Sequence, residues 1–174
     1  ILAIGGAMLK LGMDAETAFA NLEANAGISG EALEQVKAQL GDVAAQLGSD
    51  IPDAAEATFT LWSAGIHDGN QLMTDTGTTL KASAPGLGDN ATLAGVAAVA
   101  YSNFGLTAAE SMDILAVSAA NAIVPPEEMI KIFGRVSGTA NAAGMSLETL
   151  AVSATILTNA TGNVELAGTQ IDGI

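Results

Sequence analysis

The sequence contains no cysteine among its 174 residues. Thiolate metal sites, thiol nucleophiles and disulfide bonds are therefore excluded, because each of them needs a cysteine sulfur. The sequence also has a single histidine, His67. Any metal site would have to be completed by carboxylates alone, so we predict no metal, no cofactor and no catalytic residue.

Basic residues are scarce, with five Lys and Arg against 19 Asp and Glu and a net charge of −14. Binding to a nucleic-acid backbone depends mainly on clustered Lys and Arg, so this balance argues strongly against direct nucleic-acid binding. The charge also disfavours an anionic membrane surface. It predicts solubility and self-repulsion instead.

Aromatic residues make up only 3% of the chain, whereas hydrophobic residues make up 49%, many of them alanine. Alanine has the highest helix propensity, and no window alternates convincingly between apolar and polar residues as a strand would. The sequence therefore predicts an all-α fold. Its core must be built from small aliphatic side chains that let helices approach closely.

No apolar run is long enough to span a membrane. The opening residues 1–9 resemble the core of a short signal peptide, but no basic segment precedes them and no clear cleavage site follows. Their length is about half of the roughly 20 residues that a span needs. Because the sequence begins at Ile1 without an initiator methionine, we expect a segment cut from a longer chain.

A short phrase recurs along the sequence: glycine, an aliphatic residue, then a hydroxyl or similar small polar residue. It occurs at Gly27-Ile28-Ser29, Gly65-Ile66-His67, Gly105-Leu106-Thr107 and Gly144-Met145-Ser146. The glycines are almost evenly spaced, at roughly 39 residues, and a period of this length fits one helical hairpin per repeat.

The phrase has the chemistry of a corner between two helices. Glycine supplies the left-handed residue that ends one helix, and Ser or Thr two positions later caps the next. Thr107 and Glu110 fit a capping box, Ser146 fits a simple cap, and His67 is the weakest cap of the set. We therefore predict an array of short helical hairpins joined by Gly-aliphatic-Ser/Thr corners. The structural glycines of these corners are Gly27, Gly65, Gly105 and Gly144.

One helical stripe resembles a coiled-coil seam about two heptads long. Its members alternate by three and four residues and are Leu33, Val36, Leu40, Val43 and Leu47. We predict that this seam is a surface for a partner helix.

Weak catalytic signals are also present. His67 stands beside Asp68, and carboxylates are paired at Glu127 and Glu128. Residues 86–91 match the sequence pattern of a glycine-rich phosphate loop, but no strand precedes them and an acidic residue lies among them. Simpler roles explain these features better. The histidine fits a surface or capping position, the paired carboxylates fit compensation of a helix dipole, and residues 86–91 fit a plain turn.

Seven segments follow one another in a particular order between Ala44 and Thr169. They are residues 64–66, 96–106, 108–110, 119–121, 143–149, 154–160 and 167–169. Their order and spacing resemble the conserved domain of the phage tail tape-measure family. On that basis we divide the chain into N-terminal amphipathic helices in residues 1–48, continuing from a longer chain, and the conserved helical domain in residues 49–174.

The resemblance implies a structural protein of the virion. Proteins of this family are long and mostly helical, and several copies lie in the tail lumen, set tail length, template assembly of the tail tube and leave ahead of the DNA. The implied partners are other tape-measure copies, tail-tube and tail-tip proteins, and tail assembly chaperones. The implied locations are the tail lumen or tip and, during assembly, the host cytoplasm.

Two other functions remain open from the residues alone. A free-standing helical-repeat module that binds a protein partner would show the same repeat period. An enzyme would have to rest on His67 and the carboxylates.

Overall fold

The computed structural model describes residues 15–25, 27–83 and 86–173, and within them the chain is helical with no strand. The all-α prediction is confirmed. The first helix, α1, comprises residues 15–25. The others are α2 (Gly30–Leu47), α3 (Ile51–Ser63), α4 (Gly69–Ser83), α5 (Asn90–Phe104), α6 (Ala108–Asn121), α7 (Pro126–Ala142), α8 (Leu147–Thr161) and α9 (Val164–Asp172). The opening run of residues 1–9 lies outside the described part of the chain.

Helices α2 to α9 form four successive hairpins that stack in two rows. The first helices of the hairpins make one row, in which α2 packs on α4, α4 on α6 and α6 on α8. The second helices make the other row, in which α3 packs on α5, α5 on α7 and α7 on α9. Each hairpin thus buries its apolar side against its neighbours, as in an α-solenoid. The predicted array of hairpins is confirmed in this arrangement.

The first row keeps a strict register. The residues that precede its four helices and occupy the capping position are equally spaced along the chain, and they are Ser29, Asp68, Thr107 and Ser146. Hydrogen bonds join equivalent parts of neighbouring helices in both rows: Asn90 Nδ2 donates to the Asp53 carbonyl at 2.7 Å, and Asn159 Nδ2 donates to the Asn121 carbonyl at 2.8 Å. Neighbouring helices within a row therefore run parallel.

Among the described residues, the buried core is built mainly from aliphatic side chains and alanine. Phe133 in α7 is fully buried, as are Leu40, Leu61 and Leu93. Buried alanines, including Ala54, belong to the same core. Small side chains allow helices to pack closely, which suits a chain with few aromatic residues.

The corner glycines adopt the left-handed conformation, with φ of 68° at Gly27, 102° at Gly65, 69° at Gly105 and 75° at Gly144. Thr107 and Glu110 form both halves of a capping box. The Ser146 hydroxyl accepts a hydrogen bond from the Thr149 N–H at 3.3 Å.

Two caps differ from the sequence expectation. At the second corner the carboxylate of Asp68, not His67, accepts the N–H of Gln71 at 2.9 Å. Aspartate is a strong capping residue, so α4 begins one residue later than the glycine phrase suggested. At the first corner, Ser29 has extended backbone angles but its side chain makes no capping hydrogen bond.

The seam of α2 contacts the rest of the same chain. Leu33, Val36 and Leu40 are buried in the common core, and Val43 and Leu47 are half-buried against it. Their neighbours are α3 and α4, so in this structure the seam is not exposed to a partner helix. One core cluster joins residues on both sides of the boundary drawn after residue 48.

Among the described residues, no single helix is both long and apolar enough to cross a membrane. Helices α5 and α6 meet the length and composition criteria only as a pair, and they are bent by 111° relative to each other.

Candidate interaction surface

The outer side of the first row carries three shallow grooves, one between each pair of neighbouring helices. The α2/α4 groove has a volume of about 330 Å³, the α4/α6 groove about 510 Å³ and the α6/α8 groove about 410 Å³. A larger depression of about 680 Å³ lies between α1 and α3, but amides and carboxylates such as Asn21, Asp50 and Glu56 line it. The row therefore offers a series of equivalent sites whose chemistry can be compared.

The α6/α8 groove is bordered by large apolar side chains that face solvent. Val117 is 65% exposed, Val152 58% and Ile156 61%. Ile123, just beyond the end of α6, is 66% exposed. Single exposed aliphatic residues are common on protein surfaces, but several on two adjacent helices form a patch of the kind that marks interaction sites. We call these four residues the apolar patch.

Hydrogen bonds between the two helices hold the floor of this groove. The hydroxyl groups of Ser118 and Thr155 are 2.7 Å apart, and Ser118 also donates to the Ala151 carbonyl at 3.4 Å. At the C-terminal end, Asn159 accepts the Ile123 N–H at 2.8 Å. Small hydroxyl and alanine side chains lie between the helices at this face, and Val117, Val152 and Ile156 remain exposed beside them. The patch thus lies on two helices that side-chain hydrogen bonds join.

Equivalent outer positions in the four hairpins change from polar to apolar along the row. At one position, taken once per repeat, the side chains are Gln39, Thr78, Val117 and Ile156. At a second position they are Gln35, Thr74, Asp113 and Val152. The repeat therefore conserves the backbone arrangement, while the first outer position becomes apolar in the last two hairpins and the second only in the last one.

Acidic residues border the N-terminal end of the α6/α8 groove. Asp113 and Glu148 line it, and Glu110 lies close enough to Glu148 for an electrostatic interaction. Hydrogen bonds from its own backbone N–H and from Ser146 lower the pKa of Glu148. The N–H and hydroxyl of Thr107 lower the pKa of Glu110. Both carboxylates are therefore ionised at neutral pH.

The catalytic signals in the sequence are not brought together. His67 is exposed, and its ring centroid lies 4.5 Å from that of Trp62. Asp89, which lies in the glycine-rich residues 86–91, caps α5 by accepting the Thr92 N–H at 2.9 Å. Glu128 pairs with Lys131 at 2.6 Å on the surface of α7. No group of three or more potential metal ligands occurs among the described residues.

Sequence reasoning missed one buried carboxylate. Asp75 in α4 is 2% exposed, and its Oδ1 accepts the Ala108 N–H at the start of α6 at 3.2 Å. Burial raises the pKa of this group, whereas the hydrogen bonds from Ala108 and Gln71 lower it and Glu110 raises it further. Asp75 therefore caps a helix of the next hairpin, which no local sequence signal reveals.

Comparison with known proteins gives two matches. The family described as phage-related minor tail protein matches residues 37–174. The tape measure protein of Pneumococcus phage Dp-1 is 28% identical over 176 residues, which cover 99% of this chain but only 15% of that protein. No solved structure matches the chain.

Proposed function

The chain belongs to the phage-related minor tail protein family, and from this premise we propose that it is a structural segment of a tape-measure protein that sets tail length. The observation that carries the proposal is the family match over residues 37–174. It is supported by the similarity to a protein named as a tape measure protein.

The segment is one part of a much longer molecule in this proposal, since it spans only 15% of the length of the relative that it matches. The full protein occupies the tail lumen or tip, templates assembly of the tail tube and leaves before the DNA. Its partners are other tape-measure copies, tail-tube and tail-tip proteins, and tail assembly chaperones, which it meets in the host cytoplasm. In this proposal residues 1–48 precede the conserved helical domain of residues 49–174, and α2 packs into the core of that domain.

The role that we propose is structural rather than enzymatic. The family description is that of a tail protein, which supports this view. In the described residues the exposed His67 neighbours an aromatic ring, Asp68 caps α4, and Glu128 pairs with Lys131 on the surface. These are roles that stabilise helices.

The repeat register allows a sharp test in the phage that encodes this chain. Deleting residues 107–145 in frame removes α6 and α7 and joins Leu106 to Ser146, which restores a glycine-aliphatic-serine corner. If the deleted segment lies in the tail as one extended helix, each tail shortens by about 60 Å, at roughly 1.5 Å per residue. If it remains a stacked hairpin, the loss is only about 10 Å, the distance between packed helices.

Tail lengths would be measured by electron microscopy of purified virions. Duplication of residues 107–145 should lengthen the tail by the amount that deletion shortens it, and a recoded gene with unchanged protein sequence is the control. Unchanged tail length in both variants would refute a length-setting role for this segment.

A protein-binding helical repeat is the second candidate function. The apolar patch on the α6/α8 groove favours it, because a purely internal spacer has no need for exposed aliphatic residues. Isolation of intact tails separates the two candidates, since a free-standing binding module would be absent from them.

A further inference from the structure

The α6/α8 groove combines an apolar patch with an acidic end, and this combination defines the chemistry of what would fill it. Val117, Val152 and Ile156 provide aliphatic contacts along its length, while Glu110 and Glu148 carry negative charge at its N-terminal end. We infer that this groove binds an amphipathic helix of a partner protein, with an aliphatic stripe and Lys or Arg residues in one terminal turn.

The dimensions of the groove suit a short helix. The groove follows α6, and a helix of that length, rising by about 1.5 Å per residue, is roughly 20 Å long. A ligand helix of three to four turns fits this length and would place aliphatic residues with helical spacing on the patch. Because α6 and α8 are already joined by hydrogen bonds, little ordering of the groove is needed on binding.

Charge complementarity selects the partner and disfavours a second copy of this chain. The chain carries a net charge of −14. Of its five basic residues, Lys37 pairs with Glu34 at 2.9 Å, Lys131 with Glu128 at 2.6 Å, and Arg135 lies 3.7 Å from Asp172. Lys81 lines the α2/α4 and α4/α6 grooves as a single charge. Docking of another copy would bring further acids to an acidic groove, whereas a basic helix end would be attracted to it.

The equivalent α2/α4 groove provides an internal control. Its lining combines Gln46, Thr74, Thr78 and Lys81 with apolar side chains that are already packed in the core, namely the half-buried Val43 and Leu47 and the buried Met73. It therefore lacks the exposed aliphatic side chains of the patch, and no acidic residue lines it. A basic amphipathic helix should therefore distinguish the two grooves, although both are formed by parallel helices of the same row.

The test uses the full chain and a labelled synthetic helix as the probe. The peptide matches α6 in length and has Leu and Ile at positions i, i+3, i+4 and i+7, with three Arg in its last turn. A control peptide has Glu in place of the three Arg. Binding is measured by fluorescence polarisation at low and at high salt. We expect the Arg peptide to bind at least about ten times more tightly than the Glu peptide at low salt, with the difference falling as salt rises.

Matched variants locate the binding site. Val117→Ser with Ile156→Ser should weaken binding of the Arg peptide at least about tenfold, whereas Gln39→Ser with Thr78→Ser, at the equivalent outer positions, should leave it unchanged. Asp113→Asn with Glu148→Gln should reduce the salt dependence. All these side chains lie on the outer surface or the groove rim, and thermal unfolding followed by circular dichroism verifies that each variant folds.

A second readout uses the lack of cysteine in the chain. An environment-sensitive dye on Val152→Cys should change its emission when the Arg peptide is added, whereas the same dye on Gln35→Cys, the equivalent residue in α2, should not. Equal responses of the two dyes, equal binding of the two peptides, or full binding by the Val117→Ser, Ile156→Ser variant would each overturn the inference. So would dimerisation of the unmodified chain through this patch, detected by sedimentation.

This inference goes beyond the proposed role in tail length. The peptide assay contains no tail, so its failure would leave the deletion and duplication experiment untouched. Conversely, unchanged tail lengths would not contradict the binding of a helix in the α6/α8 groove.

Discussion

The α2/α4 and α6/α8 grooves are formed by the same repeat, but the side chains at their outer positions differ in polarity. Both are formed by parallel helices whose capping residues are equally spaced along the chain. At the outer position the first pair presents Gln39 and Thr78, and the second pair presents Val117 and Ile156.

The difference shows that fold and surface are specified by different positions of the repeat. Inward positions must remain small or apolar, because the two rows bury them. Outward positions contribute little to folding and are free to differ between hairpins. Substitutions at matched inward and outward positions therefore test whether fold and surface are specified separately.

Substitutions at inward and outward positions of α8 should differ most in their effect on the free energy of unfolding. Leu150 is fully buried, and Leu150→Ala should lower the free energy of unfolding by about 2–5 kcal/mol because it leaves a cavity. Val152, two residues away and 58% exposed, is the control, and Val152→Ala should change the value by no more than about 0.5 kcal/mol. Urea unfolding followed by circular dichroism measures both. Equal losses would mean that the outer face is buried as well.

The capping residues of the first and third corners should also differ in how much they stabilise the chain, although they occupy equivalent positions of the repeat. Thr107→Ala removes one half of a capping box and should lower the free energy of unfolding by about 1 kcal/mol. Ser29→Ala removes a side chain that makes no capping hydrogen bond and should change it by only about a few tenths of a kcal/mol. A loss at Ser29 as large as that at Thr107 would contradict the described geometry of the first corner.

Two glycines next to and within α5 should respond in opposite directions to the same substitution. Gly105 has φ of 69°, so Gly105→Ala should destabilise the chain by about 1 kcal/mol. Gly95 lies inside the helix, and a Cβ added there meets no atom within 4 Å. Gly95→Ala should therefore stabilise the chain by about 0.5–1 kcal/mol, because alanine favours the helix. Melting temperatures that shift in the same direction would refute this distinction.

Features fixed by neighbouring residues could be predicted from the sequence. The glycine corners depend on a few adjacent positions, and so does the pairing of Thr107 with Glu110. The error at the second corner arose because the glycine phrase was given more weight than the cap. Asp68 is a better cap than His67, and only Asp68 lies midway between Ser29 and Thr107 along the sequence.

Features fixed by distant contacts could not be predicted. The periodicity of Leu33, Val36 and Leu40 shows that one side of α2 is buried, but not that α3 and α4 of the same chain cover it. The apolar patch was missed because α6 and α8 are rich in alanine, so Val117 and Ile156 do not stand out from an otherwise polar face. Their exposure depends on how the hairpins stack.

The smallest expected effect concerns Asp75, which caps α6 from the preceding helix of the row. Burial raises the pKa of Asp75 above its ordinary value of 3.8, so the folded chain binds this proton more readily than the unfolded chain does. The contribution of Asp75 to stability therefore falls as the pH rises through the raised pKa and stays low at neutral pH.

Asp75→Asn keeps an oxygen that can accept the Ala108 N–H but cannot ionise. The variant should be at least as stable as the unmodified chain at pH 7, and this advantage should shrink as the pH is lowered towards 4. Asp75→Ala loses the acceptor and should be destabilised at both pH values, which separates the hydrogen bond from the charge. Urea unfolding of all three chains at the two pH values provides the measurement, and an advantage of Asn that grows in acid would show that the ionised carboxylate stabilises the fold.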